Sequence, residues 1–167
     1  MPRYPKAPIV LIMAVGSLTL ASAALSHGDS DAKPRKASAA EKAVTASGRM
    51  GDPAKVSRTI EVGMDDSMHF TPGNLVIRRG ATIRFKVSND GKLMHEMVIG
   101  TMKELKEHAE LMEKFPGMEH DEPYIAHVAP GKEESIVWQF TQAGEFHYAC
   151  LIPGHMEAGM IGRITVK

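Results

Sequence analysis

An all-β chain, folded as a Greek-key β-sandwich with one helix inserted around residues 101–115, is the architecture this sequence predicts. Three observations carry that expectation. Short segments with apolar residues at every second position recur from Val56 to Val166, between turn signals at Pro72-Gly73, Asn89-Asp90-Gly91, Pro130-Gly131 and Ala143-Gly144. Only residues 101–115 switch to a helical period. The last two alternating segments flank a Pro- and Gly-containing loop that begins with the only cysteine of the 167-residue chain.

The elements follow in chain order. Arg3 and Lys6 precede an uncharged apolar stretch, Ala7 to Leu25, and small residues (Ala21-Ser22-Ala23 or Ala24-Leu25-Ser26) precede the polar His27-Gly28-Asp29. A charged start, an apolar middle and a small-residue exit make residues 1–26 a secretory signal. The stretch approaches the ~20 residues that span a bilayer, but the small residues before a polar segment favour cleavage over anchoring. The mature protein is therefore expected in the periplasm, with no membrane insertion after cleavage. Cleavage removes two of the 20 basic residues and no acid, which leaves 18 against 20 acidic residues and a net charge of −2. That balance gives no reason to expect nucleic acid or an anionic membrane as a partner. Residues 27–54, rich in Ala, Lys, Ser and Asp, carry almost no large apolar side chain and are expected to form a flexible leader. Residues 55–167 have the size of one domain, expected to be a monomer.

Within that domain, Val56, Ile60 and Val62 share one parity, and Leu75-Val76-Ile77 ends at Arg79-Gly80. Ile83, Phe85 and Val87 alternate with Thr82, Arg84 and Lys86, which gives that strand one wet face. Met97–Ile99, 135–140, 145–150 and 162–166 complete seven or eight strands. In the inserted segment, Met102, Leu105, Ala109 and Met112 recur at helical spacing; Thr101 with Glu104 three residues on matches a capping box, and Pro116-Gly117 ends the helix.

The chemistry concentrates at the end of the chain. Cys150, His155 and Met160 are spaced C-x4-H-x4-M. A thiolate, imidazoles and a weak axial thioether are the donor set of a blue-copper site. A lone cysteine in an exported protein has no internal disulfide partner, and metal ligation gives it a role. Alternation puts Phe146, Tyr148 and Cys150 on one inward face, where a thiolate needs a cation to offset its burial. Pro153-Gly154 reverses the chain to bring His155 back, and Gly159 precedes Met160. The missing second imidazole is best supplied by His95, in Asn89-Asp90-Gly91-Lys92-Leu93-Met94-His95-Glu96-Met97.

Phe146-His147-Tyr148-Ala149-Cys150 through Gly162 resembles the ligand loop of the cupredoxins (the plastocyanin/azurin-like type 1 copper family), spelled most like that of the rusticyanins. Phe70-Thr71-Pro72 and Gly80 through Asn89 resemble the strand pair that leads to the family's first ligand. The resemblance covers residues 56–167. It implies an eight-stranded sandwich with one copper at one end, held by His95, Cys150 and His155 with Met160 axial. One departure stands out: the residue after the first histidine, often an Asn that braces the ligand loop in plastocyanin and azurin relatives, is Glu96 here.

Twelve methionines, ten after signal removal, are many for this length. Thioether and imidazole suit Cu(I), so Met64, Met68 and His69 form a candidate weak second copper group. Met94 and Met97 beside His95, Met118 with His120, and His108 with Met112 on the helix are lesser ones. With the export signal, this methionine surplus resembles periplasmic copper-resistance cupredoxins. The resemblance implies single-electron transfer or copper tolerance, exchanged with a redox partner or a copper-trafficking protein. The competing class is a copper enzyme, a nitrite reductase or multicopper oxidase. Those need a second copper held by histidines, and here Ala149 and Leu151 flank Cys150, with no His-x-His pair.

Overall fold

The computed structural model describes residues 44–115 and 121–167. Among the described residues, eleven strands and one α-helix follow in order: β1 (Val44–Thr45), β2 (Gly48–Met50), β3 (Arg58–Asp65), β4 (His69–Thr71), β5 (Asn74–Ile77), β6 (Thr82–Asn89), β7 (His95–Gly100), α1 (Met102–Lys114), β8 (Ile125–Val128), β9 (Glu133–Phe140), β10 (Gly144–Ala149) and β11 (Ile161–Val166). They form two sheets, one ordered β1-β2-β9-β6-β3-β4 and the other β5-β11-β10-β7-β8. Most neighbours are antiparallel, while β3–β6 and β5–β11 run parallel. This is the predicted β-sandwich with its single inserted helix.

The inner faces meet in one core. Ile83, Phe85 and Val87 on β6, Ile136, Trp138 and Phe140 on β9, and Phe146 and Tyr148 on β10 are all buried, at the parities the alternation predicts. Strand β7 differs, since every residue from His95 to Gly100 is buried. Its inner residues Met97 and Ile99 enter the main core, while Val98 meets Leu105 of α1, Ala149, Leu151 and Met156 in a second cluster on the outer face. A strand covered on both sides loses its polar face. The Thr101 hydroxyl accepts the Glu104 N–H, and the Glu104 carboxylate accepts the Thr101 N–H, so the capping box fixes where α1 leaves β7.

Residues 1–26 and most of the expected leader lie outside the described residues. The end of that leader is corrected: residues 44–54 belong to the fold. Strand β2 pairs antiparallel with β9, Gly48 opposite Phe140, and Pro53–Lys55 forms a 3-10 turn capped by Asp52. The segment is held by backbone and polar contacts that an apolar pattern does not reveal. The buried Trp138 indole N–H donates to Ser47 Oγ at 3.1 Å, and a Cβ at Gly48 would stand 1.9 Å from the Gln139 carbonyl oxygen. Strands β4 and β8, too short to show a period, also escape the sequence pattern.

Candidate metal centre

His95 is the first residue of β7, and the loop before it is tied down from two sides. Asn89, fully enclosed at the end of β6, accepts the Gly91 N–H and donates to the carbonyls of Leu93 and Val128, both at 2.8 Å. Asp66, in the β3–β4 turn, accepts the backbone N–H groups of Lys92 (2.9 Å) and Leu93 (3.1 Å). At Gly91 a Cβ would sit 2.1 Å from the Asp66 carboxylate, so only glycine admits that approach. The Asp66 carboxylate also lies 3.2 Å from His95 Nε2. That bond makes Nε2 the protonated nitrogen and leaves Nδ1 a free lone pair. His95 Nδ1 is buried with no hydrogen-bond partner.

The facing wall is the loop from Cys150 to Met160, closed by its own backbone. His155 N–H donates to Ile152 O, Met160 N–H to His155 O, and Cys150 N–H to Met160 O at 3.2 Å. Gly154 (φ 89°) and Gly159 (φ 101°) take the left-handed conformations the two reversals need. Cys150 and Met160 are fully buried in the main core, and His155 is half-buried.

The three strong donors converge. One ligand atom each from His95, Cys150 and His155 lie within 4.8 Å of one another. Cys150 Sγ is 3.3 Å from His155 Nδ1, and the two imidazole rings have centroids 5.0 Å apart. Burial pushes the Cys150 thiol up to about 12, opposed in part by the Glu96 N–H that points at its sulfur. Burial, and then the neighbouring His95, hold His155 below the usual imidazole range. At neutral pH the metal-free site thus contains a thiol and an uncharged His155. A buried thiol, a lone pair without a donor and a neutral imidazole fit a soft, thiolate-seeking cation such as copper.

Glu96, the residue after His95, touches both the thiol and the loop. Its backbone N–H is 3.4 Å from Cys150 Sγ, its Oε1 accepts the Leu151 N–H at 3.0 Å, and its Oε2 lies 3.0 Å from His127 Nδ1. The carboxylate therefore braces the ligand loop, the task that falls to Asn in plastocyanin and azurin relatives. Sequence reasoning found neither Asp66 nor His127. Asp66 is one of several polar residues in a turn, and His127 faces Glu96 only through the β7–β8 register, Glu96 opposite His127.

The weak second copper group at Met64, Met68 and His69 is corrected. Met64 is 1 % exposed and packs in the main core, opposite Phe70 across β3–β4, while His69 pairs with Asp65 on the outer face. Strand alternation sends the two side chains to opposite sides of the sheet. Met97 is likewise core, and Met112 is buried beneath α1. Met118 and His120 lie outside the described residues.

Comparison with known proteins places these features in a family. The model of the "Copper binding proteins, plastocyanin/azurin family" matches residues 56–167. A copper-resistant cuproprotein CopI of Rubrivivax gelatinosus is 45 % identical over 160 residues, 96 % of each chain. Its namesake from Pseudomonas aeruginosa is 33 % identical over 98 % of this chain and 96 % of its own. Among solved structures, auracyanin B superposes with a TM-score of 0.61 at 22 % identity, covering 72 % of this chain and 96 % of its own. An azurin from Methylomonas sp. strain J gives 0.56 at 15 % identity, covering 67 % and 99 %.

Proposed function

Since the chain belongs to the plastocyanin/azurin family of copper-binding proteins, we infer that it holds one type 1 copper at His95, Cys150, His155 and Met160 and serves copper tolerance in the periplasm. The observation that carries this reading is the convergence of one donor atom each from His95, Cys150 and His155 within 4.8 Å of one another, beside a His95 Nδ1 that is buried without a hydrogen-bond partner. Bound copper supplies a one-electron couple between Cu(II) and Cu(I). The residues of the chain do the rest. Asp66 fixes the His95 tautomer, Glu96 and the loop backbone hold Cys150 in place, and the core around Cys150 and Met160 excludes water. His155, half-buried, is the ligand nearest solvent and the point of exchange with a redox or copper-trafficking partner.

Tolerance is favoured over electron carriage because the relatives aligned over nearly the whole chain are named copper-resistant cuproproteins. The charged start, apolar middle and small-residue exit of residues 1–26 support export to the periplasm. Ala149 and Leu151, where a multicopper enzyme would place histidines beside the cysteine, support a binding protein over an enzyme. A strain lacking this protein should grow only at lower copper concentrations. The wild-type chain should restore growth and Cys150→Ser should not; full restoration by Cys150→Ser would refute the role assigned to the site.

A further inference from the structure

We propose that Asp66 and Glu96 are positioning residues that grip the copper ligands from outside and, as two fixed carboxylates, bias the site towards Cu(II). The proposal rests on the copper reading above and goes beyond it.

The two side chains act on different ligands from different elements. Asp66, in the β3–β4 turn, accepts the Nε2–H of His95 at 3.2 Å while also accepting two backbone N–H groups of the loop that delivers that histidine. Glu96 stands on the other side, on β7, where Oε1 accepts the Leu151 N–H one residue past Cys150. Its Oε2 is held by His127 Nδ1 on β8 at 3.0 Å, so the brace is itself braced. Both oxygens of Glu96 are thus engaged, Oε1 by the Leu151 N–H and Oε2 by His127 Nδ1. Groups that orient metal ligands also tune the metal.

The sign follows from electrostatics. Negative charge next to the site stabilises the more positive oxidation state, and does so more strongly in a buried site than in water. Each carboxylate therefore lowers the reduction potential. The Glu96 N–H aimed at Cys150 Sγ acts in the opposite sense by withdrawing charge from the sulfur, but it belongs to the backbone and survives any substitution at that position. Asp66→Asn and Glu96→Gln change the charge with almost no change of shape.

The test is voltammetry of the copper-loaded full-length protein and of both variants, with visible absorption recorded on the same samples. Each variant should keep its thiolate-to-copper band and show a higher reduction potential than wild type, with the double variant highest. Potentials equal to or below wild type in variants that keep the band would overturn the proposal. If the buried Glu96→Gln fails to fold, Asp66→Asn decides alone, since Asp66 is 37 % exposed in a turn. A wild-type protein with no thiolate-to-copper band would instead overturn the copper reading.

Discussion

The two walls of the metal centre are built in opposite ways. The loop from Cys150 to Met160 is local: three predicted ligands lie within eleven residues, and backbone bonds among Cys150, His155 and Met160 close it on itself. The wall facing it is assembled from distant parts. His95 comes from β7, its partner Asp66 from the β3–β4 turn, the brace Glu96 from β7 and its support His127 from β8. A local motif carries its geometry in its own spacing and turn residues, whereas a composite wall exists only once the sheets have paired. Losses on the two sides should therefore differ in kind.

The largest effect should come from the ligands. His155→Ala removes one donor from a half-exposed position, while His95→Ala removes one from a fully buried position and leaves a cavity beside the core. Both should weaken copper binding by more than the ~10–100-fold typical when a group orienting a ligand is lost. Only His95→Ala should also destabilise the metal-free protein, by about 2 kcal/mol, in a denaturant titration. Equal stabilities for the two variants would erase the distinction between the walls.

Glu96→Ala comes next. It leaves every ligand in place but removes the acceptor of the Leu151 N–H, and should cost ~10–100-fold in copper affinity, read by competition with a chelator. An unchanged affinity would mean that the loop needs no support from the other wall.

Proton release sharpens the comparison further. The Cys150 thiol is pushed up to about 12 by burial, so it is protonated when metal-free at neutral pH and must lose its proton when copper binds. His155, held below the usual imidazole range, releases none there. Affinity should therefore rise about tenfold per pH unit above neutrality until near the thiol's own range. Calorimetry in buffers of different ionisation enthalpy should count one proton per copper; a count of zero would contradict a protonated Cys150.

The smallest effect lies far from copper. Ser47→Ala deprives the buried Trp138 N–H of its acceptor and should cost about 1–3 kcal/mol in unfolding free energy. The copper spectrum should not move, and a spectral change would show that the β1–β2 strap reaches the site.

The same contrast explains what could be read in advance. The sandwich, the helix and the Cys150–His155 pair follow from alternation, one capping box and one spacing, because each is encoded within a short segment, whereas His95 is legible only as the imidazole that this loop still needs. The pairing of β2 with β9 depends on a serine hydroxyl and a glycine beside another strand's carbonyl, which composition records only as polarity. Met64 shows the reverse error: its nearness in sequence to His69 suggests a shared site, but strand parity separates them. Asp66 and His127 meet their partners through tertiary pairing and leave no local signal.

Cys150 sits in a preformed pocket with two imidazoles, where it is expected to bind one copper as a thiolate. Titration of the metal-free protein with Cu(II), followed by visible absorption, tests it most directly. An intense thiolate-to-copper band should grow to saturation at one copper per chain, and Cys150→Ser should show none of it. A band that persists in Cys150→Ser, or its absence from a folded wild-type protein at saturating copper, would contradict the claim.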